Sequence, residues 1–134
     1  MDEAAKLLKE AKTVAVVGLD SRTDRVAYRI ARYLQAVGYT VIPVHRGQFP
    51  ADEVLGEKAY ESLRDIPGKV DLVDVFVRSE QTGPVIEDAI AVGARGVWLQ
   101  SGIFNEQGLA KARAAGLVVT QNECTMVVHR SEIA

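Results

Sequence analysis

The chain is poor in the residues that staple small folds. Cys124 is the only cysteine among 134 residues, which excludes an intramolecular disulfide and any zinc site built on cysteine pairs. His45 and His129 are the only histidines, and their separation shows no metal-ligand spacing. There is no excess of positive charge: 16 Lys and Arg against 18 Asp and Glu give a formal net charge of −2. No global basic field therefore draws the chain to nucleic acid or to an acidic membrane surface. No apolar run approaches the roughly 20 residues of a membrane helix. The opening Met1-Asp2-Glu3, followed by Lys6, Leu7, Leu8 and Lys9, lacks the basic start and long apolar stretch of a signal peptide. These absences lead to the expectation of a soluble, cytoplasmic protein with one domain over residues 1–134, a length that sustains a core without staples.

What is present is a repeated alternation. Residues 2–11 read as a short amphipathic helix. Val14-Ala15-Val16-Val17 is a continuous apolar run ending at Gly18, the pattern of a strand covered on both faces. Val26, Ile30, Ala31, Leu34 and Val37 recur at helical spacing and stop at Gly38. A second strand is expected over Thr40 to Val44, where Pro43 marks an edge or an end. Further strands are expected at Leu72 to Val77, Gly96 to Leu99 and Leu117 to Thr120. Helices are expected from Pro84 to Val92, from Glu106 to Ala115 and over residues 125–133. The segment 46–69 has room only for a short helix near Ala59 to Leu63. Strands and helices alternating at these intervals predict an α/β fold: a Rossmann-like, doubly wound parallel sheet of five strands.

Ligands of such sheets lie outside the carboxyl ends of the strands. The loops there are rich in hydroxyls, amides and arginines. After the first strand, Gly18, Ser21, Arg22 and Arg25 surround a helix N-terminus, whose free N–H groups and dipole favour phosphate; arginine grips phosphate bidentately. The alternative for this loop is structural, with Asp20, Ser21 or Asp24 capping the helix and the arginines solvated. The dinucleotide fingerprint is missing, because no glycine follows Gly18 until Gly38. The acidic residue expected at the end of the second strand, which would hold a ribose 2′-hydroxyl, is replaced by His45-Arg46. A basic pair accepts an extra phosphate, which argues for NADP or coenzyme A over NAD; the alternative is a solvated Arg46 with no ligand.

These stretches also carry a family pattern. Val14-Ala15-Val16-Val17-Gly18, Gly38-Tyr39-Thr40-Val41-Ile42-Pro43-Val44, Val54-Leu55-Gly56, Val70 to Phe76, Gly93 to Gln100 and Ala115-Gly116-Leu117 together resemble the small stand-alone coenzyme A-binding proteins. Those are relatives of the nucleotide-binding domain in the alpha subunit of succinyl-CoA synthetase. The resemblance implies that coenzyme A lies across the strand ends, with Gly18, Ser21, Arg22 and Arg25 at its phosphates. Pro43, Val44 and His45, with Phe76, Val77 and Arg78, would frame the adenosine. Gln100, Ser101 and Gly102 would face the pantetheine, with Asn122 and Cys124 near the thiol end. The pattern departs at Gly18-Leu19-Asp20-Ser21, where Gly-Ala-Ser is more usual, and at Val44-His45-Arg46.

The synthetase relative uses a phosphorylated histidine from a separate domain, and neither histidine here has a recognisable catalytic setting. Asp71 and Asp74 fall on opposite faces of a strand and do not form an acid/base pair. Trp98 is expected in the core. Cys124 is either a thiol facing the crevice, able to exchange with the coenzyme thiol, or a small buried apolar residue. The residues thus favour a non-catalytic module that binds coenzyme A or an acyl-CoA, as carrier, sensor or regulator of a protein partner. The alternatives are an NADP-dependent oxidoreductase and a partial subunit of an acyl-CoA ligase. No metal, nucleic acid or membrane partner is expected.

Overall fold

A computed structural model describes residues 1–47, 49 and 51–134. The chain opens with α1 (Glu3–Glu10), whose N-cap Asp2 accepts the Ala5 N–H at 2.8 Å and so satisfies one of the free donors of the first turn. β1 (Thr13–Val17), α2 (Val26–Ala36) and β2 (Thr40–Val44) follow. A small hairpin, β3 (Glu53–Val54) and β4 (Glu57–Lys58), and a 3-10 turn at Leu63–Asp65 lead to β5 (Leu72–Val75). Then come α3 (Thr82–Ala91), β6 (Gly96–Leu99), α4 (Glu106–Ala114), β7 (Val118–Thr120) and α5 (Thr125–Val128). A π-helical turn at His129–Ile133 extends α5.

Five strands pair in parallel in the order β2-β1-β5-β6-β7. The chain winds outward on both sides of the β1–β5 pair, so the strand order reverses there. This is the Rossmann-like, doubly wound sheet that the alternation predicts. Successive strand residues face opposite sides, and β1 divides accordingly. Val14 and Val16 join α1, α2, Leu72 and Trp98 in one core, while Ala15 and Val17 join Val73, Val75, α3 and α4 in the other. Val14, Ala15, Val16 and Val17 are all buried, and each valine so placed contributes about 1.5–3 kcal/mol.

β2 is an edge strand, as Pro43 requires. The Pro43 carbonyl faces away from β1 and accepts the Tyr60 N–H at 3.0 Å, so the missing proline N–H falls on the open side. At the sheet's other half, Gly96 is dictated by packing: a Cβ there would collide with Leu7 of α1 and sit 2.9 Å from the Val118 carbonyl oxygen.

The short helix expected near Ala59 to Leu63 is not formed. Leu55 and Gly56, at φ of 56° and 77°, make a tight two-residue turn of the kind that matches strand twist. Tyr60 then bridges to Val44 beside β2, which holds this stretch extended. Only the 3-10 turn after Ser62 remains, with the Ser62 hydroxyl accepting the Arg64 N–H at 3.1 Å.

Candidate functional site

At the reversal point, the ends of β1, β2 and β5 enclose a crevice of about 590 Å³. Val17 and Gly18 come from the end of β1 and the turn after it, Val44, His45 and Arg46 from the end of β2 and its loop, and Phe76, Val77 and Arg78 from the loop after β5. The far wall is Ser62 and Leu63 with Pro84, Val85 and Asp88 of α3. Gly18 is required at the apex. Its φ is 103°, and an added Cβ would lie 3.1 Å from the Cβ of Phe76. Its N–H donates to the Val44 carbonyl at 2.7 Å, so the turn closes directly beside β2.

Cations concentrate around this opening. Arg22 and Arg25 line it together with His45, Arg46 and Arg78. Arg22 is engaged: its Nη2 lies 2.6 Å from Asp20 Oδ2, and its guanidinium stacks 4.1 Å from the centre of the Phe49 ring. Burial works to raise the Asp20 carboxyl, but the bonds from Arg22 hold it below its ordinary value. Asp20 therefore braces Arg22 and does not cap α2. The N-cap position belongs to Arg25, which makes no side-chain capping bond, so the positive end of α2 stands open beside the crevice. Arg25, Arg46 and Arg78 take part in no ion pair among the described residues. The Asp88 carboxylate on the opposite wall is occupied by Arg64 at 2.7 Å. Glu61 also lines the opening, which thus combines an arginine-rich rim with an apolar floor of Val44, Phe76 and Val77.

The structure brings together Gly18, Arg22, Arg25, Val44, His45, Phe76, Val77 and Arg78, eight of the residues named from the sequence. Ser21 lies beside them, exposed, with its N–H 3.4 Å from the Phe49 carbonyl oxygen. Pro43 is buried one residue behind the crevice. Ser101, Gly102 and Asn122 lie further along the same edge, where Asn122 Oδ1 accepts the Gly102 N–H at 2.8 Å and ties the loops after β6 and β7 together. Cys124 is half-buried at the start of α5 and packs against the core beside α1 and α2. The side chain of Gln100 is turned inward. Its Nε2 donates to Asp74 Oδ1 at 2.6 Å and to Thr125 Oγ1 at 2.8 Å.

That last network was missed by sequence reasoning. Asp74 is fully buried in β5, and the Thr125 hydroxyl donates to its Oδ2 at 3.0 Å. Burial pushes its carboxyl up to about 7, against the opposing pull of Gln100 and Thr125. The signal was an aspartate inside the run Leu72-Val73-Asp74-Val75, where every neighbour is apolar. The carboxylate and hydroxyl wall at Ser62 and Asp88 left no such mark. Trp98 is buried, as expected, and donates its indole N–H to the Glu123 carbonyl at 2.8 Å.

Fold and crevice together define a Rossmann-like α/β domain with an arginine-rimmed opening at its switch point. The model of the CoA binding domain family matches residues 12–130, and the chain belongs to that family. It is 38% identical over 127 residues to the uncharacterised protein YneT of Bacillus subtilis, covering 95% of this chain and 92% of that one. A solved structure of a hypothetical protein from Pyrococcus horikoshii superposes with a TM-score of 0.90 at 36% identity, covering 100% of this chain and 93% of that one. The alpha subunit of an ADP-forming acetate–CoA ligase from Pyrococcus furiosus is 30% identical over 96 residues. That alignment covers 71% of this chain but only 20% of the ligase subunit. No helix among the described residues is long and apolar enough to cross a membrane.

Proposed function

We propose that this chain is a cytoplasmic module that binds coenzyme A, free or acylated, in the crevice at the ends of β1, β2 and β5, and performs no chemistry on it. The observation that carries this reading is the meeting of Arg25, Arg46 and Arg78, in no ion pair among the described residues, with the open N-terminus of α2 over an apolar floor. A ligand with several phosphates and a flat heterocycle complements both halves of that surface. Arg25 and Arg22 would hold the diphosphate, with the Gly18 turn letting the backbone approach. His45 and Arg46 would hold the phosphate on the ribose, and Val44, Phe76 and Val77 would flank the adenine. The pantetheine would run toward Ser101, Gly102, Asn122 and Cys124. Membership of the CoA binding domain family supports the ligand, and the ligases share only this portion of their length. The whole module 1–134 acts as one unit in this reading, whether as carrier, sensor or regulator.

The test is calorimetric titration with coenzyme A, 3′-dephospho-coenzyme A, NADP and NAD. Coenzyme A should bind, and loss of the 3′-phosphate should weaken it by about tenfold, the scale of a charge-assisted contact. Arg22→Ala/Arg25→Ala should weaken it at least as much without altering the circular dichroism spectrum. Binding of NADP alone would favour the oxidoreductase instead, and absence of binding by all four would end the proposal.

A further inference from the structure

A second depression, sharing no residue with the crevice, lies between α2 and α5. It too encloses about 590 Å³ and is lined by Arg29, Arg32, Tyr33 and Ala36 of α2 with Met126 and Arg130. On α2 these residues follow i, i+3, i+4, i+7, so they form one stripe along the helix. Met126 and Arg130 are four apart on the facing segment. The floor is therefore apolar and aromatic, and the rim is cationic.

Three features show that this groove lacks its counterpart. Arg29, Arg32 and Arg130 enter no ion pair among the described residues, although the chain as a whole has more carboxylates than cations. Residues 25–51 contain four arginines and no Asp or Glu, so α2 itself carries no carboxylate to neutralise Arg29 and Arg32. Arg130 is instead held over the Tyr33 ring, 4.8 Å from its centre, and the Tyr33 hydroxyl is 2.7 Å from His129 Nδ1. The rim is thus preorganised, with part of its ordering cost already met. Beside the groove, Val127 is more than half exposed.

We propose that this groove docks an acidic amphipathic helix of a partner protein, its apolar side chains on Tyr33, Ala36 and Met126 and its carboxylates on Arg29, Arg32 and Arg130. A channel between two helices is the shape that receives a third, and Tyr, Met and Arg are the residue types that dominate protein interfaces. A second copy of this chain does not fit. No helix among the described residues presents two unpaired carboxylates on one face: Glu10 is taken by Arg95, Glu87 by Lys111 and Asp88 by Arg64. A nucleic acid would ask for a longer cationic track than three side chains provide.

The probe is a phage-displayed library of helix-forming peptides of about 15 residues, a length at which isolated helices become marginally stable. It is selected on the whole protein without coenzyme. The expected winners carry Asp or Glu flanking an apolar stripe and shift the amide resonances of Arg29, Arg32, Tyr33 and Met126. They should bind Arg29→Glu/Arg32→Glu at least about tenfold more weakly, since both substitutions reverse rim charges. The double variant must keep its circular dichroism spectrum and must still bind coenzyme A, which separates failure here from failure of the crevice reading. Winners without acidic bias, winners that bind the double variant equally, or shifts confined to the crevice would overturn the proposal. So would a short duplex or anionic phosphatidylserine vesicles shifting the groove resonances where the peptides do not.

Discussion

Asp74 is the residue whose surroundings differ most from those a carboxylate prefers. It is enclosed in β5 with two neutral donors, Gln100 and Thr125, and no cation. Its folded value of about 7 lies above the ordinary 3.8. The folded protein therefore keeps a proton that the unfolded chain has already released. Stability from this group is complete below about 3.8 and is lost as the pH rises through about 7. Asp74→Asn cannot titrate and keeps a hydrogen-bonding side chain. The expectation is that the unfolding free energy of the native protein, measured in urea, falls from pH 4 to pH 7.5 relative to Asp74→Asn. Parallel pH profiles for the two proteins would refute this. Gln100 shows why the residue scale was only partly legible. Its place after β6 was readable from the sequence, whereas the direction of its side chain was set by a buried partner 26 positions earlier.

At the scale of elements, α2 carries an unusual beginning. Serine, threonine or aspartate is the favoured N-cap, yet the position is held by Arg25, with no capping bond and a positive charge against the positive end of the helix dipole. Arg25→Ser should supply the cap and raise the unfolding free energy by about 1 kcal/mol, while weakening coenzyme A. Chemical denaturation and calorimetry on the same variant check both signs; loss of affinity without gained stability would mean that the cap is not the deficit. The main helices were legible from their 3.6-residue period, and the buried strands from continuous apolar runs. The hairpin β3–β4 was not: it turns on Leu55 at positive φ, a residue that does not announce such a turn. The π-helical turn at His129–Ile133 was equally silent, since its sequence continues a helical pattern.

For the whole molecule, the doubly wound parallel sheet followed from the alternation of strands and helices, and the strand-end loops followed from the sheet. The position of the crevice was accordingly readable before its detailed lining. The groove between α2 and α5 was not, because it depends on how the last helix lies against the second, a packing relation that no motif encodes.

The two cationic sites have α2 in common. Arg25 at the crevice and Arg29 at the groove are four residues apart, about 6 Å along the axis, which is within the screening length of about 8 Å at physiological salt. An anion held by one lowers the electrical potential at the other, although the two occupants never touch. Coenzyme and acidic helix are thus thermodynamic antagonists, and by linkage each weakens the other by the same factor. Calorimetric titration of a selected peptide with and without saturating coenzyme A should show this loss in 50 mM salt and its disappearance near 1 M, where the screening length falls to about 3 Å. Such a molecule would release its partner when coenzyme A is plentiful and hold it when coenzyme A is scarce.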